Sequence, residues 1–264
     1  MDVIIDDMDY TLFKRKVNDF IGFDLNSYKQ KQMYRRLNSL IARLNVKTFA
    51  DYFNLIKNDP SKLEEFKNFV TINVTEFFRN PEKFDDLIQF VLPELIKNSH
   101  NGLKIWSAGC SLGAEAYTLS IIMQENFRFV PYSIIATDID EEILKKAKIG
   151  VYMENEIRNI PKHILNKYFT QNDKGGAIQE NVKKNVTFKK NNLLQDIFER
   201  DFDLILCRNV VIYFTEETKN ILYKKFYDSL KANGILFVGG TENILNSKEL
   251  GFIVPKPFFY KKAK

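Results

Sequence analysis

Cysteine and histidine are scarce in this chain of 264 residues, which has only two of each. Cys110 and Cys207 each lie where an apolar strand pattern passes into a loop, and they form neither a CxxC pair nor a zinc-ligand spacing. His100 and His163 lie in polar segments. The sequence therefore gives no signal for a disulfide framework or a metal site, and we expect a reducing compartment.

Long hydrophobic runs are also missing. The first ten residues, MDVIIDDMDY, are acidic and have neither the basic region nor the apolar core of a signal peptide. No stretch of the chain is long and apolar enough to span a bilayer. We therefore expect a cytoplasmic protein with no direct membrane insertion, and its 45% of hydrophobic residues allows a well-filled core in one or two domains.

Acidic side chains are absent from residues 25–50, although the whole chain has 34 of them. The basic residues of this stretch are Lys29, Lys31, Arg35, Arg36, Arg43 and Lys47. Its apolar residues recur at helical spacing, at Met33, Leu37, Leu40, Ile41 and Leu44. The pattern predicts an amphipathic helix over about 26–45 with a basic outer face. That face is either a solvated helix surface or a docking surface for an acidic protein or nucleic acid.

The order of predicted elements divides the chain into two parts. Residues 1–72 predict only short helices, at about 9–21, 26–45, 48–57 and 60–72, so we expect a small all-helical N-terminal domain. Strands and helices alternate over residues 73–264, which predicts an α/β domain with a doubly wound, mostly parallel sheet. A polar stretch around Gly175 and Gly176 predicts a small β-hairpin insertion at about 169–190.

Residues 103–140 carry the strongest functional signal. LKIWSAGC predicts a buried strand, SLGAEAYTLSIIMQEN a glycine turn and a helix, and YSIIATDID a second strand that ends at Asp138. This βαβ pattern is typical of nucleoside binding, because the acid can accept hydrogen bonds from ribose hydroxyls and Gly109 and Gly113 allow close backbone approach. The turn is looser than the dinucleotide fingerprint and has no basic residue for a pyrophosphate. S-adenosylmethionine is therefore favoured over NAD.

Polar residues follow four strands of the predicted sheet. In chain order they are Gly109, Ser111, Gly113 and Glu115; Asp138; Asn192 with Leu193; and Cys207, Arg208, Asn209 and Tyr213. Because the carboxyl ends of parallel strands meet at one edge, we expect a single pocket there. Taken singly, Asp138 has the alternative of a helix N-cap, Glu115 of a first-turn acid, and Asn209 of a turn residue.

Five motifs make the sequence similar to a known family. NVTEFFRN, WSAGCSLGAEAYTL, ATDID, FKKNNLL and CRNVVIYF, in this order and spacing, resemble the chemotaxis receptor methyltransferases, the CheR family, over nearly the whole chain. NVTEFFR and CRNVVIYF are specific to that family, whereas ATDID and the glycine turn are generic. The resemblance implies a class I methyltransferase-like fold. It also implies methyl transfer from S-adenosylmethionine to glutamate side chains of a methyl-accepting chemoreceptor cytoplasmic domain.

The resemblance also implies site residues. Those expected at the cofactor are Asn73, Thr75, Arg79, Gly109, Glu115, Asp138, Asn192, Leu193, Arg208 and Asn209. Among them, Glu115 would hold the methionine amino group and Asp138 the ribose, while Asn192 and Leu193 would flank the adenine. The family often has STGEEPY where this chain has SLGAEAY, so two alanines replace an acid and a proline beside Glu115.

Arg79 and Tyr213 would face the substrate carboxylate and are the catalytic candidates. A glutamate side chain has a pKa of about 4.3, so it is already anionic at neutral pH and needs no general base. Alignment of that carboxylate is the main requirement, and an arginine can hold it by paired hydrogen bonds.

Two other classes of function stay open on the residues alone. One is a methyltransferase that acts on RNA or a small molecule, which the basic helix and the sequence pI of about 8.9 permit. The other is a non-catalytic cofactor-binding signalling protein. The chain has no NPPY-type element and no stacked-aromatic RNA signature, so we expect no nucleic acid partner.

We expect a monomer whose Arg35, Arg36 and Arg43 dock an acidic receptor. Within residues 170–185 of the hairpin, Ile178 and Val182 are the only sizeable apolar residues, too few to anchor a receptor tail.

Overall fold

The computed structural model of this protein describes residues 7–71 and 76–263. The described residues form two compact units. The first contains those before residue 74 together with Tyr213–Asn220, and the second contains those of 74–212 and from Ile221 onward. The chain therefore returns to the helical N-terminal unit once, just after a strand of the larger unit.

The first unit is helical, as predicted. Its helices are α1 (Met8–Ile21), α2 (Gln30–Arg43), α3 (Phe49–Asn58) and α4 (Pro60–Thr71). Helix α2 begins four residues later than predicted, because Leu25–Ser27 form a 3-10 turn whose start is capped by the side chain of Asp24. The apolar stripe of α2 is buried at Met33, Leu37, Leu40 and Ile41.

An aromatic cluster forms the core of the first unit. The ring of Phe13 lies 5.3 Å from that of Phe49 and 6.0 Å from that of Phe66, and Tyr10 also contacts Phe49 at 5.0 Å. Asp9 of α1 accepts hydrogen bonds from the amides of the first turn of α3, which fixes the two helices to each other. The high phenylalanine content of the sequence thus serves packing.

The second unit is built on a sheet of seven strands. They are β1 (Leu103–Ala108), β2 (Tyr132–Asp138), β6 (Val186–Lys190), β7 (Phe202–Cys207), β8 (Leu230–Val238), β9 (Phe252–Lys256) and β10 (Phe259–Lys262), in the order β6-β2-β1-β7-β8-β10-β9. Five of them are parallel neighbours from β6 to β8, and β10 is antiparallel to both strands beside it. The predicted doubly wound, mostly parallel sheet is confirmed.

The helices of this unit follow the strands in the expected alternation. They are α5 (Pro81–Asp86), α6 (Leu92–Asn98), α7 (Ala114–Asn126), α8 (Glu141–Ile149), α9 (Glu154–Ile157), α10 (Lys162–Tyr168), α11 (Glu180–Lys183) and α12 (Glu216–Ser229), of which α12 begins among the residues of the first unit. None of the helices in the described part of the chain is long and apolar enough to cross a membrane.

A small second sheet lies within this unit. The predicted hairpin is formed by β4 (Phe169–Asn172) and β5 (Gly175–Ile178), and a third strand, β3 (Val151–Met153), pairs with the other side of β5. Ile178 is 3% exposed and Val182 is fully buried, so both belong to the hydrophobic core. Neither is available on the surface of the hairpin to anchor a peptide.

Candidate functional site

The glycine turn after β1 is fixed to the end of β2 by three backbone donors. The amides of Gly109 and Cys110 both donate to the carbonyl oxygen of Thr137 at 2.8 Å, and the amide of Ser111 donates to Oδ2 of Asp138 at 2.8 Å. This places the turn and the acid beside each other at the carboxyl edge of the sheet, as predicted from the βαβ pattern.

Neighbouring protein atoms, rather than a ligand alone, require the two glycines of the turn. Gly109 and Gly113 have φ values of 76° and 82°, in the left-handed region that favours glycine. A Cβ on Gly109 would lie 2.6 Å from Cγ2 of Val210, and one on Gly113 would lie 2.8 Å from the Phe188 ring. The turn therefore depends on glycine even before a ligand binds.

Asp138 is buried and keeps part of its acceptor capacity. Its Oδ2 accepts from Ser111 and its Oδ1 from the amide of Asp140 at 3.1 Å. Burial raises the pKa of this carboxyl, and these backbone amides lower it in part. The N-cap of α8 is Asp140, so the alternative that Asp138 caps this helix is wrong. A carboxylate has about four acceptor positions, so Asp138 can still accept from a ligand.

Glu115 and Arg208 form an ion pair at the same edge. Nη1 of Arg208 lies 3.6 Å from Oε2 of Glu115, and Ser107 donates to the other carboxylate oxygen at 2.8 Å. Burial raises the pKa of Glu115, and the charge of Arg208 counteracts this rise. Glu115 is therefore more than a first-turn acid, because its carboxylate is held by a partner from another strand.

The guanidinium of Arg208 also fixes the loop that carries Arg79. Nη2 donates to the carbonyl oxygen of Arg79 at 2.8 Å and to Oδ1 of Asn80 at 3.2 Å. The group lies 5.0 Å from the ring of Phe84 and 4.7 Å from that of Phe237, and the side chain of Arg208 is only 2% exposed. Arg208, which was expected at the cofactor, thus also holds the backbone of the predicted substrate-binding arginine.

The strand β6 is followed by an asparagine pair, of which the sequence analysis singled out the second. Asn192 uses its side chain locally, with Oδ1 accepting from the amide of Leu194 at 3.0 Å, and Leu193 is buried. Asn191 donates its amide to the carbonyl oxygen of Asp138 at 2.9 Å, and its Oδ1 is buried without a partner among the described residues. Asn191 was missed because two asparagines in succession give no signal in the sequence for which of them faces the carboxyl edge of the sheet.

Glu242 is a buried acid that sequence reasoning did not find. Its Oε2 accepts from the amide of Asn209 at 2.8 Å and from that of Gly239 at 2.6 Å, and the residue is 3% exposed. Asn209 has a φ of 59°, so it is a turn residue whose backbone is held by this carboxylate. A Cβ on Gly239 would lie 2.4 Å from Oε2, which explains the glycine there.

The remaining predicted residues either belong to the first unit or are not described by the structure. Asn73 and Thr75 lie outside the described residues. Tyr213 belongs to the first unit, where its carbonyl oxygen accepts from the amide of Lys29 at 2.9 Å. The predicted docking arginines also belong to that unit.

The docking arginines of α2 differ in their surroundings. Arg36 donates to the carbonyl oxygen of Phe69 and stacks on its ring, so it is anchored to α4. Arg43 is exposed and lies 3.4 Å from Glu65, and Arg35 is exposed. Helix α2 therefore has a basic outer face, but the guanidinium of Arg36 is already hydrogen-bonded to α4.

The carboxyl edge fits a nucleoside that carries hydroxyl and ammonium groups. Asp138 and Glu115 supply acceptors, and unpartnered buried polar atoms among the described residues include Oγ of Ser111, Oδ1 of Asn191 and Oδ1 of Asn209. Within 7–71 and 76–263, no group of histidine, cysteine and acidic side chains is arranged to hold a metal ion. The donors and acceptors suit S-adenosylmethionine, which has a diol, an adenine and an amino-acid end.

Comparison with protein families gives two matches that together span most of the chain. Residues 73–256 match the CheR methyltransferase, SAM binding domain, and residues 8–71 match the CheR methyltransferase, all-alpha domain. The first match agrees with the cofactor predicted from the turn and Asp138, namely S-adenosylmethionine.

Three relatives are similar over nearly their whole length. The chain is 41% identical over 255 residues to the chemotaxis protein methyltransferase of Listeria innocua, with 97% of each chain covered. It is 40% identical over 255 residues to that of Listeria monocytogenes, again with 97% of each chain covered. It is 39% identical over 263 residues to that of Borreliella burgdorferi, with 94% of this chain and 92% of the relative covered.

We expect Glu242→Ala to destabilise the second unit by about 2 kcal/mol or more, because it leaves two buried amides without an acceptor. Glu242→Gln keeps one acceptor oxygen and should lose less. Thermal and urea unfolding of each variant measure the change. Glu249→Ala, at an exposed acid in the same segment, is the matched control and should unfold like the wild type. Equal stability of Glu242→Ala and Glu249→Ala would show that the carboxylate is not needed.

Proposed function

The chain belongs to the CheR methyltransferase family, and we propose that it methylates glutamate side chains in the cytoplasmic domain of a chemoreceptor. It is an S-adenosylmethionine-dependent methyltransferase of chemotaxis. The main support for the proposed site is that Asp138, Glu115 and the Arg79 loop lie at the same edge of the sheet. We also propose that the protein acts in the cytoplasm and that it is a monomer.

When bound, S-adenosylmethionine supplies an electrophilic methyl group on a sulfonium. We assign the ribose hydroxyls to Asp138, whose remaining acceptor positions are buried. We assign the methionine ammonium to Glu115, whose carboxylate Arg208 and Ser107 keep oriented. Asn192 and Leu193 would flank the adenine, and Gly109 and Asn209 would line the turn. Asn73 and Thr75 belong to the same proposal.

The substrate carboxylate needs alignment rather than deprotonation. Because a glutamate is anionic at neutral pH, the enzyme must orient it and exclude water. We propose that Arg79 binds this carboxylate through its guanidinium, while its own backbone is fixed by Arg208. Tyr213 is the second proposed contact with the substrate.

Receptor docking is proposed for the basic face of α2. Arg35 and Arg43 are exposed, whereas Arg36 is already bound to the carbonyl oxygen of Phe69. The long-range attraction of an acidic methylation region should therefore come mainly from Arg35 and Arg43. The activity itself is tested by transfer of radiolabelled methyl to receptor cytoplasmic fragments, with a base-labile ester as the product. Label that appears only on RNA or on a small molecule would contradict the proposal.

Asp138→Ala should weaken the binding of S-adenosylhomocysteine by about 1–3 kcal/mol, because ligand hydroxyls lose a buried acceptor. Titration calorimetry measures the affinity. Asp140→Ala is the control, since it removes the N-cap of α8 and should lower stability by about 0.5–2 kcal/mol while affinity is kept. If Asp138→Ala binds S-adenosylhomocysteine as tightly as Asp140→Ala and the wild type do, the assignment of the ribose to Asp138 is wrong.

Arg79→Ala should lower kcat/KM for a receptor fragment by about 10–100-fold, the range expected for a charge-assisted pair with the substrate carboxylate. The affinity for S-adenosylhomocysteine should change much less. Arg128→Ala, at an exposed arginine of the same unit, should keep wild-type kinetics. Near-normal turnover of Arg79→Ala would make Arg79 a structural residue.

The double variant Arg35→Glu with Arg43→Glu should raise the apparent KM for the receptor fragment several-fold in low salt, because both exposed charges are reversed. The difference from wild type should shrink as salt shortens the Debye length to about 8 Å and below. Cofactor affinity serves as the internal control and should not change. An unaltered KM in low salt would remove α2 from the docking surface.

A further inference from the structure

Ser111 has a backbone conformation that its residue type disfavours. Its φ is 48°, in the left-handed region. Among the described residues, the other non-glycine residues with positive φ are Asn45, Phe78, Asn80, Asp201, Asn209, Asn233 and Phe258. Most of these are asparagine or aspartate, which tolerate this region, whereas serine does so poorly. A glycine would fit the position better, as it does at Gly109 and Gly113 on either side.

The side chain of Ser111 is also unsatisfied. Its Oγ is buried and has no hydrogen-bond partner in the described part of the chain, and the residue is only 9% exposed. A buried hydroxyl without a partner costs free energy. The hydrogen bond that Ser111 does make, to Asp138, uses the backbone amide and would be made equally well by glycine. Nothing among residues 7–71 and 76–263 therefore accounts for the hydroxyl.

The position of this hydroxyl points to a ligand. The amide of the same residue lies 2.8 Å from Oδ2 of Asp138, and the amides of Gly109 and Cys110 anchor the turn to the carbonyl oxygen of Thr137. The Ser111 side chain is thus held beside the carboxylate to which the ribose is assigned. Strained residues persist where the surrounding structure over-determines them, and they cluster at ligand sites.

We propose that Ser111 is a cofactor-binding residue whose Oγ forms a hydrogen bond with the ribose of the nucleoside held by Asp138. This inference rests on the proposed function of the site. The bond would satisfy the Ser111 hydroxyl, which is buried without a partner among the described residues. It would also explain why serine stands where the backbone favours glycine.

The substitutions Ser111→Ala and Ser111→Gly separate this role from a structural one. Both remove the hydroxyl, but only glycine also relieves the backbone. Both variants should bind S-adenosylhomocysteine about 3–10-fold more weakly in titration calorimetry, the effect of one lost hydrogen bond. The ligand-free Ser111→Gly protein should melt no lower than the wild type, so that loss of affinity occurs without loss of stability.

A second ligand tests the assignment to the ribose. Methylthioadenosine keeps the adenine and the ribose but lacks the amino-acid end, so Ser111→Ala should weaken both ligands by the same factor. A loss confined to S-adenosylhomocysteine would overturn the ribose assignment. Asn233→Gly is the matched control for backbone relief, because it changes another left-handed residue at the other end of the sheet and should leave both affinities unchanged.

The Asp138→Ala variant distinguishes failure of the role proposed for Ser111 from failure of the proposed nucleoside site. If that variant binds S-adenosylhomocysteine weakly but Ser111→Ala binds it normally, Ser111 is not a cofactor-binding residue, while the pocket stands. If both variants bind it normally, the nucleoside site itself is misplaced and the proposed function fails with it.

Discussion

The burial of charge at the carboxyl edge of the sheet is the constraint on which the site depends. Asp138 and Glu242 are buried carboxylates, Glu115 is a partly buried one, and Arg208 is a buried guanidinium among them. A buried charge is tolerated only when it is paired or hydrogen-bonded. Three of the four groups therefore fix a piece of backbone: the glycine turn at Asp138, the Arg79 loop at Arg208, and the turn after β7 at Glu242.

The same edge concentrates backbone in unusual conformations. Phe78 and Asn80, on either side of Arg79, have φ values of 52° and 58°, and Ser111 and Asn209 are also left-handed. Left-handed residues other than glycine are held in place by the hydrogen bonds around them. The amide of Phe78 donates to Oγ1 of Thr118, and the carbonyl oxygen of Arg79 accepts from Arg208. Buried charge and strained backbone thus occur together, which is the usual arrangement of a pre-organised ligand site.

Much of the fold was predictable because its signals are local. The apolar run DLILC is buried in the central strand of the sheet, the strand YSIIATD is buried over its last three residues, and the alternation of strands and helices gave the α/β class. The structure adds β3 and β9, which the sequence analysis did not predict. Strand β3 has only three residues, two of them exposed, and β9 contains Pro255 and three exposed residues. Neither has the apolar alternation by which a strand is recognised.

The predictable part of the site was the part close to the strand ends. Asp138 ends β2, Arg208 directly follows β7, and Glu115 lies in the first turn of the helix after β1, so their convergence could be inferred. Glu242 could not, because its partner Asn209 lies 33 positions earlier in the chain and the contact leaves no spacing pattern. The role of Arg208 was equally hidden, since its carbonyl acceptor lies 129 positions away.

Arg208 contacts both parts of the proposed site, the part assigned to the cofactor and the part assigned to the substrate. One nitrogen faces Glu115, the residue assigned to the amino group of the cofactor, and another donates to the backbone of Arg79, the residue assigned to the substrate. A lysine could not replace Arg208. A single ammonium cannot reach both acceptors, and it lacks the planar group that packs near the rings of Phe84 and Phe237. The cofactor site and the substrate arginine are therefore positioned by one guanidinium. We therefore expect a change on either side of the guanidinium to affect the other side, through the ion pair of Nη1 with Glu115 and the hydrogen bond of Nη2 to Arg79.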